Sequence, residues 1–168
     1  VASPLGSGFV ERCAALGGVR LVVDALRHTI KIQSAQIAGL SVLGHSRLLD
    51  QEVTRLSAVD AMVAALAALK IHSRSAKLVG LAAIAIANLA HRDSSAANTL
   101  IQADGCRLIV DSVLALSGPN TQVQTAHAAA CWALGTLASA GRKIHTDGRL
   151  LTLATEVQDG NAEHLFHE

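Results

Sequence analysis

SAKLVGLAAIAIANLA, residues Ser75 to Ala90, opens at a polar cluster and then runs on Ala, Leu and Ile with a single charge, Lys77. Ala and Leu lead the helix-propensity ranking, and two prolines in the whole chain, Pro4 and Pro119, leave long stretches free to be helical. A helix with so many alanines is thin, and thin helices close to about 8 Å between axes, the tight end of the packing range. Two other stretches read the same way: QSAQIAGLSVLGH from Gln33 and QTAHAAACWALGTLA from Gln124. Period-2 alternation bounded by turns is absent, so the expected class is all-α with no sheet.

Each of these stretches follows a second kind of segment. LGGVRLVVDAL from Leu16, LSAVDAMVAAL from Leu56 and ADGCRLIVDSV from Ala103 align with one another, and TDGRLLTLATEV from Thr146 makes a fourth. With Gly18, Ala58, Gly105 and Gly148 equivalent, the spacings are 40, 47 and 43 residues. A shorter polar helix is expected before the second and third segments, at LDQEVTRL from Leu49 and SAANTLIQ from Ser95. Short helix, helix, long helix is therefore the order of one unit. Such a unit cannot bury its apolar faces alone, so stacked neighbours share one core.

The repeat resembles that of armadillo proteins. The resemblance rests on the period of about 40 to 47 residues, on the small-residue turns GGV and DGC, and on the lines IAIANLA and CWALGTLA, which are similar to an A-L-x-N-L-A signature. HEAT repeats share the period, but their proline or Asp/Arg pair between two helices does not recur here. The resemblance implies a right-handed armadillo-type α-solenoid of about three and a half repeats over residues 9–155. Residues 1–8 are expected to be a flexible lead-in and residues 156–168 a polar tail.

It also implies that each third helix lines a concave groove. Residues four apart share a helix face, which pairs Ser41 with His45, Ile84 with Asn88 and Trp132 with Thr136. Leu134, Leu137, Ile86 and Leu89 fall on the other side and are expected in the core. Importin-alpha-like members repeat a Trp-x-x-x-Asn pair in the groove, the Trp holding a side-chain stem and the Asn clamping peptide backbone. This chain departs from that pattern, since Trp132 has Thr136 and Asn88 has Ile84 where the pair would be completed. Importin-like capture of basic peptides is not expected. Lys77 and Arg92 fall near the same stripe, where the resemblance to beta-catenin-like members implies pairing with an acidic partner. The expected partner-binding set is thus Ser41, His45, Lys77, Ile84, Asn88, Arg92, Trp132 and Thr136. The alternatives are that Trp132 fills a gap between third helices and that Asn88 bonds a neighbouring helix.

Composition narrows the function further. Fourteen basic residues stand against thirteen acidic ones, and the aromatics are Phe9, Trp132 and Phe166 alone. Nucleic-acid binding would want a basic stripe or stacking platforms, so no nucleic acid is expected. The longest charge-free stretch, Ser112 to Ala140, is broken by SGPNTQ, and no membrane span is expected. Cys13, Cys106 and Cys131 are odd in number and set in apolar context, as small hydrophobes in a reducing compartment, cytoplasm or nucleus. Among the eight histidines no helical metal pair is found, and no cofactor is expected. Cys131 and His127 are i and i+4, a possible nucleophile and base, but no oxyanion loop or orienting third group accompanies them. The expectation is a non-catalytic module that binds another protein or a peptide segment. The alternative is a self-assembly scaffold, a homo-oligomer formed through the C-terminal end, where Leu150, Leu151 and Leu153 lack a following third helix.

Overall fold

The computed structural model describes residues 16–45, 55–118 and 120–145, all inside the expected repeat region. Seven helices and no strand are found among the described residues. They are α1 (Gly18–His28), α2 (Gln33–Leu43), α3 (Arg55–His72), α4 (Ala76–Arg92), α5 (Ser94–Gln102), α6 (Gly105–Leu114) and α7 (Thr121–His145).

Local chemistry sets the ends of these helices. Two of them open from a left-handed residue, Gly17 at φ 77° before α1 and Asp104 at φ 57° before α6. A turn of this hand suits glycine and is tolerated by aspartate. The Asp93 carboxylate caps α5, accepting from the Ser95 and Ala96 amides at 2.9 and 3.1 Å. Asn120 Oδ1 does the same for α7, accepting from the Val123 amide at 2.9 Å. Arg27 and His28 sit in the last turn of α1, where the macrodipole favours positive charge.

Burial follows the helical period. Val19, Val23 and Leu26 bury one face of α1, and Gln36, Leu40 and Leu43 one face of α2. Helix α4 is different. Leu78, Val79, Gly80, Ala82, Ala83, Ala85, Ile86, Ala87, Leu89 and Ala90 are all buried, so it lies at the centre. It packs most extensively on α7, and also on α3 and α2. The helices thereby form two rows, α2 beside α4 beside α7, and α1 beside α3 beside α6. A Cβ added to Gly80 would stand 3.4 Å from the Ala126 Cα, so small residues set the α4–α7 spacing.

Polar links join successive members of these rows. Gln33 Nε2 donates to Ser75 Oγ at 2.7 Å across 42 residues. His72 Nε2 and the Ile30 carbonyl pair at 2.8 Å, also 42 residues apart. Arg27 and Asp60 form an exposed ion pair between α1 and α3. Within the first helix pair, the buried Gln36 amide donates to the Leu26 carbonyl at 2.8 Å and the Thr29 carbonyl at 3.1 Å, closing the C-terminal end of α1.

Several sequence expectations need adjusting. The helix expected from Gln124 begins at Thr121 and runs through Gly141 to His145. The reason is that nothing after Ala138 breaks the pattern: a lone Gly141 costs a helix only about 1 kcal/mol. Arg55 and Leu56 belong to α3 rather than to a separate short helix, and residues 49–54 lie outside the described residues. So do Cys13, the fourth segment with Leu150, Leu151 and Leu153, and the proposed tail. Among the described residues no helix is long and apolar enough to cross a membrane.

Candidate functional site

The helical period places one stripe of α4, Lys77, Leu81, Ile84 and Asn88, beside one stripe of α7, Thr121, Thr125, Trp132, Thr136 and Ser139. The two helices run in the same direction, since Gly80 meets Ala126 near their N-terminal ends, while Arg92, the last residue of α4, lines one depression with Ser139 and Ala140 in the C-terminal half of α7. A furrow lies between the stripes, and it deepens at two places.

The N-terminal depression, about 240 Å³, is lined by Ser41 from α2, by Lys77, Leu81 and Ile84 from α4, and by Thr121 and Thr125 from α7. The C-terminal depression, about 430 Å³, is lined by His91, Arg92, Ser94, Trp132, Thr136 and Ser139. Six of the eight residues expected to bind a partner are therefore divided between two hollows, Ser41, Lys77 and Ile84 in one and Arg92, Trp132 and Thr136 in the other. His45 is exposed beyond the end of α2 and lines neither.

Asn88 lies between the hollows and is committed to the fold. Its Nδ2 donates at 2.7 Å to the carbonyl of Gly44, the C-cap of α2, 44 residues earlier. One of its two donors is thus engaged. Ile84 is partly buried and packs on the core, with its Cγ2 close to Gly44.

Trp132 is 49% exposed, while Leu137 and Ile86 on the opposite helix faces are 1% and 0% exposed. Leu89 is buried with them, and Leu134 packs partly buried against the same core. Around the indole stand small residues, and a Cβ added at Gly135 would meet nothing within 4 Å. The hydroxyls of the stripe turn back on their own helices: Ser41 donates to the Ile37 carbonyl at 2.8 Å, Thr125 to that of Thr121 at 2.8 Å and Thr136 to that of Trp132 at 2.9 Å. Their donors are used, and their oxygen lone pairs stay available as acceptors.

Sequence reasoning passed over Thr121, Thr125, His91 and Ser139. The signal was present, because Thr125, Trp132 and Ser139 are seven apart in turn and so continue one stripe.

The thiols divide. Cys106 is half-buried against the core, and burial, with help from the Asp104 carboxylate, pushes its thiol up from the ordinary value. Cys131 is exposed instead of buried, because the helical phase puts it next to Trp132 on the solvent side of α7. His127 is exposed as well. Among the described residues no group of His, Cys, Asp or Glu is arranged to hold a metal ion. Comparison with protein-family models, with curated proteins and with solved structures finds nothing that matches the chain.

Proposed function

We propose that the chain is a short right-handed armadillo-type solenoid and serves as a non-catalytic protein-interaction module, its groove formed by α2, α4 and α7. What supports the solenoid is the two-row packing, the polar links across 42 and 44 residues, and the matching left-handed turns at Gly17 and Asp104. The partner is a segment of another protein, docked on a preorganised surface so that the ordering cost falls on the ligand. Free thiols suit a reducing compartment, cytoplasm or nucleus.

One observation carries the binding reading. In a protein so poor in aromatics, the single indole stands half exposed in the wall of a hollow, with room beside it. Tryptophan is over-represented among residues that dominate binding energy.

The test uses Trp132 as its own reporter, since the chain has one Trp and no Tyr. Random peptides displayed on phage are selected on the full chain, and the enriched peptides are titrated against it. Binding in the furrow shifts the Trp132 emission to shorter wavelength as water leaves the ring. Enriched peptides that leave the emission unmoved would overturn the reading.

A self-association scaffold is the second reading. Leu21 on α1 is 69% exposed and Leu114 on α6 is 76% exposed, in the first and last described helices of one row, and both offer apolar surface to a second copy. Mass measured across a dilution series separates the two: a monomer at all concentrations removes the scaffold.

A further inference from the structure

The α1–α2 and α3–α4 turns lie side by side, tied by the Gln33–Ser75 bond at 2.7 Å and the His72–Ile30 bond at 2.8 Å. The start of α7 joins them, since Ala76 and Lys77 share a hollow with Thr121 and Gln122. Three successive turns therefore form one edge of the molecule. Their sequences, residues 27–35, 69–77 and 113–123, contain no Asp or Glu. Asp93, at the far end of α4, and Asp104, at the far end of α6, belong to the opposite edge.

On the carboxylate-free edge, cations and aliphatic side chains stand together. Lys31, Lys70 and Arg74 are exposed, and none of them forms an ion pair among the described residues. Ile32 is 55% exposed and Ile71 50% exposed, and each follows one of these lysines directly, so a Lys-Ile pair recurs in two neighbouring turns. Ile71 and Arg74 line the same hollow of about 380 Å³, with Gln33 and Ser75. Charged and apolar groups thus share one patch. Cations alone would suit any polyanion. Cations with bare isoleucines beside them suit a layer that is anionic at its surface and apolar just beneath, which is a bilayer of acidic lipids.

We propose that this edge docks on an anionic lipid surface, with Lys31, Lys70 and Arg74 at the headgroups and Ile32 and Ile71 entering the acyl boundary. The furrow runs away from the edge along α4 and α7, and Trp132 lies about 16 Å along α7 from Thr121. A docked chain therefore keeps the Trp132 hollow clear of the lipid. The site is separate from the furrow and does not depend on the interaction-module reading.

The test sediments the full chain with vesicles of phosphatidylcholine and phosphatidylserine in equal parts, and with vesicles of phosphatidylcholine alone. The expected result is binding to the mixed vesicles only, falling as salt is raised. Lys31→Gln, Lys70→Gln and Arg74→Gln, each checked for an unchanged melting temperature, lower the partition coefficient about fivefold apiece. Ile32→Ser with Ile71→Ser lowers it about tenfold or more. A second measurement locates the contact: with bromine-labelled phosphatidylcholine in the mixed vesicles, Ile71→Trp in a Trp132→Phe chain is quenched, whereas Trp132 of the parent is not. Equal binding to both kinds of vesicle, or binding to neither, overturns the proposal. Quenching of Trp132 also overturns it, since the furrow would then face the lipid. If polyglutamate competes as well as the vesicles do and the isoleucine variant binds like the parent, the edge is a surface for acidic protein and the lipid proposal falls.

Discussion

Asn88 donates a 2.7 Å hydrogen bond to the carbonyl of Gly44, and this one contact ties the central helix α4 to the end of α2. An α-helix leaves its last carbonyls without intrahelical partners, and here a side chain from the next unit supplies one. Asn88→Ala removes the donor and leaves that carbonyl in a half-buried place. The expected loss is about 1 to 2 kcal/mol, or a melting temperature about 2 to 8 °C lower. Thermal unfolding of the purified variant checks it, and an unchanged melt would show that the bond contributes nothing.

Two glycines are expected to respond in opposite directions. Gly135 lies in the middle of α7 with open space where a Cβ would go, so Gly135→Ala gains helix propensity without a clash. The gain is about 1 kcal/mol. At Gly105, the first residue of α6, a Cβ would stand 2.8 Å from the Leu100 carbonyl oxygen and collide with the Leu100 side chain. Gly105→Ala should therefore cost about 1 to 3 kcal/mol. Chemical denaturation of the two variants side by side measures the sign of each.

The sequence carried the helical class and much of the layout for a physical reason: burial in a helix obeys a 3.6-residue period, and the apolar spacing repeats it. Ile86, Leu89 and Leu137 were legible in this way, as was the exposed side of Trp132. The short helix at Ser94–Gln102 was legible from its polar cluster. Asn88 was legible only as one of two possibilities, since periodicity fixes a face and not a hydrogen-bond partner. Gln36 was not legible at all. Its position reads as polar surface, yet it is buried, because two carbonyls at the end of α1 need a donor that only the folded arrangement brings near. Likewise the division of the groove into two hollows depends on how far α7 slides along α4, which a single sequence does not encode in its period.

The cysteines should differ in reactivity. Cys131 is exposed, whereas Cys106 is half-buried and its thiol is pushed up, by burial first and by Asp104 second. Because the thiolate is the reacting species, Cys131 should alkylate with iodoacetamide well before Cys106 at pH 7.5. Peptide mapping by mass spectrometry distinguishes the sites and keeps Cys13 separate. Asp104→Asn should speed Cys106 slightly, since it removes the smaller of the two causes. Faster labelling of Cys106 than of Cys131 would contradict the placement of both.

The most direct test of the binding groove is the affinity of Trp132→Ala for a peptide selected on the parent protein, measured by anisotropy of the labelled peptide. Trp132 is half exposed, so the variant should melt within a few degrees of the parent. Its dissociation constant should rise about 30-fold or more, the factor that corresponds to a hot-spot loss of about 2 kcal/mol. An unchanged dissociation constant would contradict the account. So would a stability loss of about 3 to 5 kcal/mol, the scale of emptying a packed tryptophan site, which would make the indole part of the core.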